Sequence, residues 1–128
     1  MWPPPVEAVA AVFRNAGIEA RLEELAIGES EFPGAGARVR AYDCDGRLVV
    51  AVVPLDAVVD RSKLGCVYAR PVEPPMFPFS GATVTIERTL LNERTVWLDA
   101  GSPRHVVGIS PAQLARVVRA QPADLLAD

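Results

Sequence analysis

The chain has 128 residues, half of them hydrophobic, with 13 basic against 16 acidic side chains and a formal net charge of −3. That length suits one domain with a real core, and the apolar residues come in short scattered runs, which excludes a membrane-spanning helix of ~20 apolar residues. The acidic balance argues against a free-standing nucleic-acid binder, which normally carries a basic face, and two cysteines with one histidine fall short of the usual zinc ligand set. No metal and no cofactor is therefore expected. Cys44 and Cys66 sit in no metal motif and no disulfide framework, and read as buried thiols. The start, Met1-Trp2-Pro3-Pro4-Pro5, has neither the basic region nor the apolar run of a signal peptide, so the expected location is the cytoplasm.

In chain order, Val6, Val9, Ala10, Phe13 and Ile18 fall at helical spacing and predict an amphipathic helix. Pro5 fits its first turn and Gly17 its C-terminal cap. Residues 20–25 alternate and predict a strand, and residues 28–36 are a glycine-rich loop broken by Pro33. Residues 37–42 and 47–54 predict two strands around Asp45-Gly46, a strong hairpin signal. Residues 48–53, Leu-Val-Val-Ala-Val-Val, are apolar on both faces and belong at the centre of a sheet. Asp60 is placed to cap one helical turn over residues 60–64.

Residues 70–80 hold four prolines and two phenylalanines. They read as an ordered loop or a lid rather than a regular element. Residues 84–86, 95–98 and 106–109 predict three further strands. Ser110, Pro111 and Gln113 then form an N-cap, a first-position proline and a capping-box residue for a last helix. The fold class is mixed α/β (α+β): a curved or barrel-like sheet with flanking helices, in a single domain over residues 1–128.

The segment from Thr95 to Ala123 carries the most information. It is a strand, the turn Ala100-Gly101-Ser102-Pro103-Arg104-His105, a second strand and a capped helix. It resembles the C-terminal half of the YbaK/EbsC-type aminoacyl-tRNA deacylase domain, a family that clears mischarged tRNA in trans. Residues 6–24, residues 37–64 and the loop Pro75-Met76-Phe77-Pro78-Phe79-Ser80-Gly81 are similar to its earlier segments, in the same order. Three departures stand out. The family's lysine position falls on Arg38, or on Arg40 if the alignment slips by two. Pro74-Pro75 replaces a glycine pair, removing backbone amides that could approach a ligand. The passage from Leu64 to Pro71 omits helices usual in the family, which makes this a shortened version.

The resemblance implies a trans-acting deacylase for Cys-tRNA(Pro)- or Ala-tRNA(Pro)-like substrates. Its partners would be the aminoacylated 3′ end of a tRNA and, secondarily, an aminoacyl-tRNA synthetase, with no membrane and no DNA involved. Deacylation needs an attacking water and donors for the developing oxyanion. Gly101 and Ser102 match the family's turn and would offer their amides, while Arg38 would hold the substrate carbonyl or the tRNA terminus. Met76, Pro78, Phe79, Ser80 and His105 would contact the substrate, in a small apolar pocket that selects by size.

Read without the family, each of these residues has a plainer role. His105 is a turn or strand-edge residue, Gly101 serves a positive-φ turn, Arg38 is a solvated strand residue, and Phe77 and Phe79 pack a lid. Asp43 and Asp45 are turn chemistry. The alternative function is a non-catalytic module that binds tRNA, a synthetase or a small molecule. A weaker third is a small-molecule ester or thioester hydrolase.

Overall fold

The computed structural model describes residues 2–26 and 31–127, so residues 28–30 of the expected glycine-rich loop lie outside the described residues. Helix α1 spans Pro4–Asn15, with proline in its first turn and Val6, Val9 and Phe13 buried. Gly17 follows at φ +71°, the left-handed position that ends a helix. Strand β1 (Arg21–Glu24) leads to the hairpin of β2 (Ala37–Cys44) and β3 (Arg47–Pro54). Asp45 and Gly46 both have positive φ, as the tight hairpin turn demands, and Asp43 Oδ1 accepts from Gly46 N at 2.8 Å. A 3-10 turn at Arg61–Leu64 is capped by Asp60, whose carboxylate accepts from Ser62 N.

Strand β4 (Ala69–Val72) runs into the proline-rich stretch, residues 70–80, that the sequence assigned to loop. Pro71 is tolerated there because β4 is an edge strand. Strand β5 (Thr83–Glu87), a 3-10 turn at Arg88–Asn92, and strands β6 (Val96–Ser102) and β7 (His105–Ile109) follow. Helix α2 (Pro111–Val118) starts from Ser110, whose hydroxyl accepts from Gln113 N, and stops at Arg119 in the left-handed region. A short strand, β8 (Gln121–Ala123), comes after it.

The strands form two sheets, not a closed barrel, and this defines the expected curved sheet more closely. One is antiparallel, in the order β1-β7-β6, and the other is mixed, in the order β4-β2-β3-β5-β8. Strand β3 is central, as its apolar residues demand, pairing antiparallel with β2 and parallel with β5. The sheets meet at a parallel bridge between Gly36 and Trp97, with Trp97 N donating to Ala35 O. The main core lies between the sheets and the two helices, around Phe13, Val50, Val52, Ile86, Leu98, Val107 and Leu114. On the other face of the mixed sheet, Tyr42, Val49, Ala51 and Val53 pack with Leu64 and Leu125.

One feature departs from the sequence reading, and a second lies outside it. Cys44 and Cys66 are joined by a disulfide rather than standing as separate buried thiols. The physical reason is the pairing of β4 with β2, with Ala69 opposite Cys44. It brings the loop before β4 over the hairpin end, at a Cα separation of 5.6 Å. The second feature is Glu87, a carboxylate only 1% exposed. Its Oε1 accepts from Leu125 N at 2.9 Å, and its Oε2 accepts from Thr89 N and Thr89 Oγ1. It thereby anchors the C-terminal segment, which Lys63 also holds through Leu126 O and Asp124.

Burial pushes the Glu87 carboxyl up, but the hydrogen bonds from Thr89 Oγ1, Leu125 N and Thr89 N together hold it below the usual carboxylate range. A lowered folded pKa contributes stability that is full above the unfolded value and lost as pH falls through the folded one. Glu87→Gln should lower stability by about 1–3 kcal/mol at neutral pH. The difference between variant and parent should shrink as pH drops below about 4 in thermal melts.

The disulfide closes a span of 22 residues. Opening it with a thiol reductant, or through Cys66→Ser, should cost about 3 kcal/mol in denaturant unfolding. Equal midpoints with and without reductant would show that the cross-link adds nothing.

Candidate functional site

Four of the predicted site residues line a cleft of about 590 Å³ between the start of β2 and the end of β6. Its origin lies in strand pairing. Leu55 N donates to Gly36 O at 3.0 Å, which places the even-numbered residues of β2 in the hydrogen-bonded pairs with β3. The odd-numbered residues turn their N–H and C=O groups to the opposite side, where Ala41 and Asp43 meet Val72 and Arg70 of β4. Continuing that register places Pro74 opposite Val39, and proline has no N–H to donate. Strand β4 ends at Val72, so β4 does not cover the first residues of β2, whose start meets β6 only at the Gly36–Trp97 bridge. The chain then swings away as Pro74, Pro75 and Met76 and forms a wall of the cleft.

The rest of the lining follows from the same divergence. Leu98, Asp99 and Gly101 come from β6, and Pro5, Ala8 and Val9 from the start of α1. Gly101 has φ +99°, and a Cβ there would lie 3.0 Å from the backbone of Pro5. The site therefore needs glycine both for its backbone angle and for the close approach of α1. The loop is held from below by aromatic contacts: Phe77 packs 5.2 Å from Phe13 and 5.5 Å from Phe79, ring centre to ring centre. The Phe77–Pro78 bond is cis, and Phe79 N donates to Met76 O across the turn.

Of the predicted site residues, Arg38, Met76, Phe79 and Gly101 come together at this cleft, with Arg40 beside Arg38. Arg38 is half-buried, and its Nε is enclosed without a hydrogen-bond partner among the described residues. Phe79 is buried at the floor, whereas Met76 is 82% exposed at the rim. Pro78, Ser80, Ser102 and His105 are not in the lining. Ser102 Oγ instead lies 3.0 Å from His105 Nδ1 and accepts from Arg104 N, which makes it part of the β6–β7 turn. His105 is buried edge-on to Trp2, with its Nε2 3.9 Å from Glu24. The amide of Gly101, expected to face a substrate oxyanion, donates to Asp99 Oδ1 at 2.8 Å. The side chain two residues back reaches that amide locally.

Sequence reasoning missed Asp99, Val39 and the apolar lining from Val9, Phe32, Leu55 and Leu98. The one available signal was Pro74-Pro75, whose missing donors imply a break in the strand ladder. Among the described residues, no three His, Cys, Asp or Glu side chains gather into a metal-binding group, and no helix is long and apolar enough to cross a membrane.

No family model matches the sequence, and no curated protein does. Solved structures do match over the full chain. One is a candidate trans-editing enzyme for prolyl tRNA synthetase, at a TM-score of 0.83 and 17% identity, with 100% of both chains covered. The chain has the fold of that protein. A structure from a study of computational epitope grafting onto scaffold proteins matches at a TM-score of 0.82 and 19% identity, again over 100% of both chains. A third, described as a candidate signal transduction protein from Marinobacter aquaeolei VT8, matches 100% of this chain but 31% of its own, at a TM-score of 0.72 and 16% identity. The YbaK/EbsC-like fold expected from the sequence is thus present, and at these identities the likeness is one of fold.

The tight fit of Gly101 against α1 is open to a direct check. Gly101→Ala should lose about 1–3 kcal/mol, from backbone strain and the displaced Pro5 backbone, read as a lowered melting temperature.

Proposed function

We propose that the chain is a trans-acting aminoacyl-tRNA deacylase whose site is the cleft between β2 and β6. The observation that carries this reading is Arg38, a half-buried arginine with no ion-pair partner among the described residues, at a cleft lined also by Phe79, Leu98 and Val9. A guanidinium without a counter-ion can offer its terminal nitrogens to the oxygens of a ligand. Supporting it are the ordered sequence resemblance and the fold shared with the candidate editing enzyme.

In this reading the aminoacyl ester at the tRNA 3′ end enters over the exposed Met76. Its carbonyl lies by Arg38, and its small side chain points to the apolar floor, which selects by size. A water attacks the carbonyl carbon and the carbonyl oxygen gains negative charge. Arg38 is the donor available to it, since Gly101 N is already engaged. The ester C–O bond then breaks, the ribose oxygen takes up a proton, and free amino acid and tRNA leave. The proposed setting is the cytoplasm, where mischarged tRNA is found.

A second reading has its own observation in favour. Gly101 N–H is satisfied within the protein, and Pro74-Pro75 offers no amides, so donors for an oxyanion are few. The same cleft would then bind an aminoacylated tRNA end, a synthetase or a small molecule without turning it over.

One experiment separates the two. The protein is incubated with a panel of mischarged tRNAs that includes Ala-tRNA(Pro) and Cys-tRNA(Pro), and amino acid release is followed. The expected result is turnover by the parent chain and a loss of about 100-fold in kcat/KM for Arg38→Ala. Binding of the charged tRNA without release from any member of the panel would overturn the deacylase reading in favour of the binding module.

A further inference from the structure

The cleft holds charges of both signs that do not pair with each other. Arg38 and Arg40 line it from β2, and Asp99 lines it from β6. Some charged residues of the chain pair on the surface, Arg14 with Glu7, Arg21 with Glu23, Arg70 with Asp43 and Arg104 with Glu24, and others such as Arg47, Arg94 and Arg116 form no ion pair among the described residues but do not line the cleft. Among the described residues, Asp99 makes no ion pair, and neither does Arg38 or Arg40. Asp99 Oδ1 accepts from Gly101 N, which leaves Oδ2 with no hydrogen-bond partner among the described residues. The strands that carry these groups touch at Gly36 and Trp97 and then diverge, so the opposite charges face one cleft from separate walls.

A ligand that completes such a site carries a cation for Asp99, oxygen acceptors for Arg38 and an apolar group between them. An α-aminoacyl ester with a free amine has all three, at neighbouring atoms. We propose that Asp99 binds the α-ammonium of the aminoacyl group, so that the cleft accepts free aminoacyl esters and rejects N-acylated or peptidyl ones. This rests on the deacylase reading for its ligand class and adds a specificity-determining residue to it. N-acylation would remove the positive charge and place a carbonyl against the carboxylate, a repulsive contact that discriminates more sharply than a lost attraction. A cell that clears mischarged tRNA without cutting peptidyl-tRNA needs this distinction.

The substitution Asp99→Asn tests it cleanly. Asparagine keeps an oxygen acceptor for Gly101 N and removes only the charge, so the turn and the melting temperature should be preserved. The probes are 3′-alanylamido-3′-deoxyadenosine, which cannot be hydrolysed at its amide, and its N-acetyl derivative, with affinities measured by calorimetric titration. The parent chain should bind the free-amine probe at least about tenfold more tightly than the acetylated one. In Asp99→Asn the two affinities should converge, chiefly through weaker binding of the free amine. Equal binding of the two probes by the parent chain, no binding of either, or a preference that survives in Asp99→Asn would each overturn the proposal.

A parallel assay keeps this separate from the activity itself. Equal hydrolysis of Ala-tRNA(Pro) and N-acetyl-Ala-tRNA(Pro) would remove the role of Asp99 and leave the deacylase reading standing. Hydrolysis of neither, with the free-amine preference intact in the titrations, would remove the deacylase reading and leave the role of Asp99 standing.

Discussion

Pro74 has no amide hydrogen to give to Val39, and the cleft depends on that missing donor. An antiparallel ladder continues only while each outward carbonyl meets an N–H on the next strand. Strand β4 supplies them opposite Ala41 and Asp43 and then reaches two consecutive prolines. Strand β4 leaves the first half of β2 uncovered, and such a stretch is usually covered by other elements, twisted away or charged. Here the stretch carries Arg38 and Arg40, and the displaced chain returns as the cleft wall through Met76, Phe77 and Phe79. One backbone constraint therefore produces the concavity, its cationic side and its apolar rim.

The structure around the cleft is braced where the uncovered stretch would otherwise allow slippage. The disulfide between Cys44 and Cys66 ties the far end of β2 to the segment leading into β4. The stack of Phe13, Phe77 and Phe79 fixes the proline loop to α1. Gly101 lets the start of α1 sit directly on β6, with no room for a side chain between them. These contacts come from five parts of the chain, and together they brace the strands that bring Arg38 and Asp99 to the cleft. A site that keeps opposite charges apart needs such rigidity, because a flexible one would collapse into an ion pair and lose its affinity for a ligand.

Much of the fold was legible in residue patterns. The even burial of residues 48–53 marked a central strand, Asp45-Gly46 marked the hairpin, and Ser110-Pro111 with Gln113 marked the start of α2. Strands β4 and β8 were not legible, since four residues including Pro71 and three including Pro122 carry no strand signal of their own. They exist because a neighbouring strand offers a ladder to join. The candidate site was half legible. Arg38, Met76, Phe79 and Gly101 converge, while Ser102 and His105 are drawn into the β6–β7 turn by a hydrogen bond between them. Asp99 escaped notice because an acidic residue near a strand end usually signals only a turn.

By itself the sequence determined the order of the two helices and of every strand but β4 and β8, the central place of β3 and the ends of both helices. Each depends on local chemistry: apolar periodicity, a missing amide hydrogen, a hydroxyl three residues from an N–H. Only the tertiary structure decided that the sheet divides in two, that Cys44 meets Cys66, that Glu87 is buried under Leu125, and that Asp99 faces the same cleft as Arg38. Those outcomes join residues 22 to 61 positions apart, and their partners are set by strand register and sheet divergence, which no local window of sequence contains.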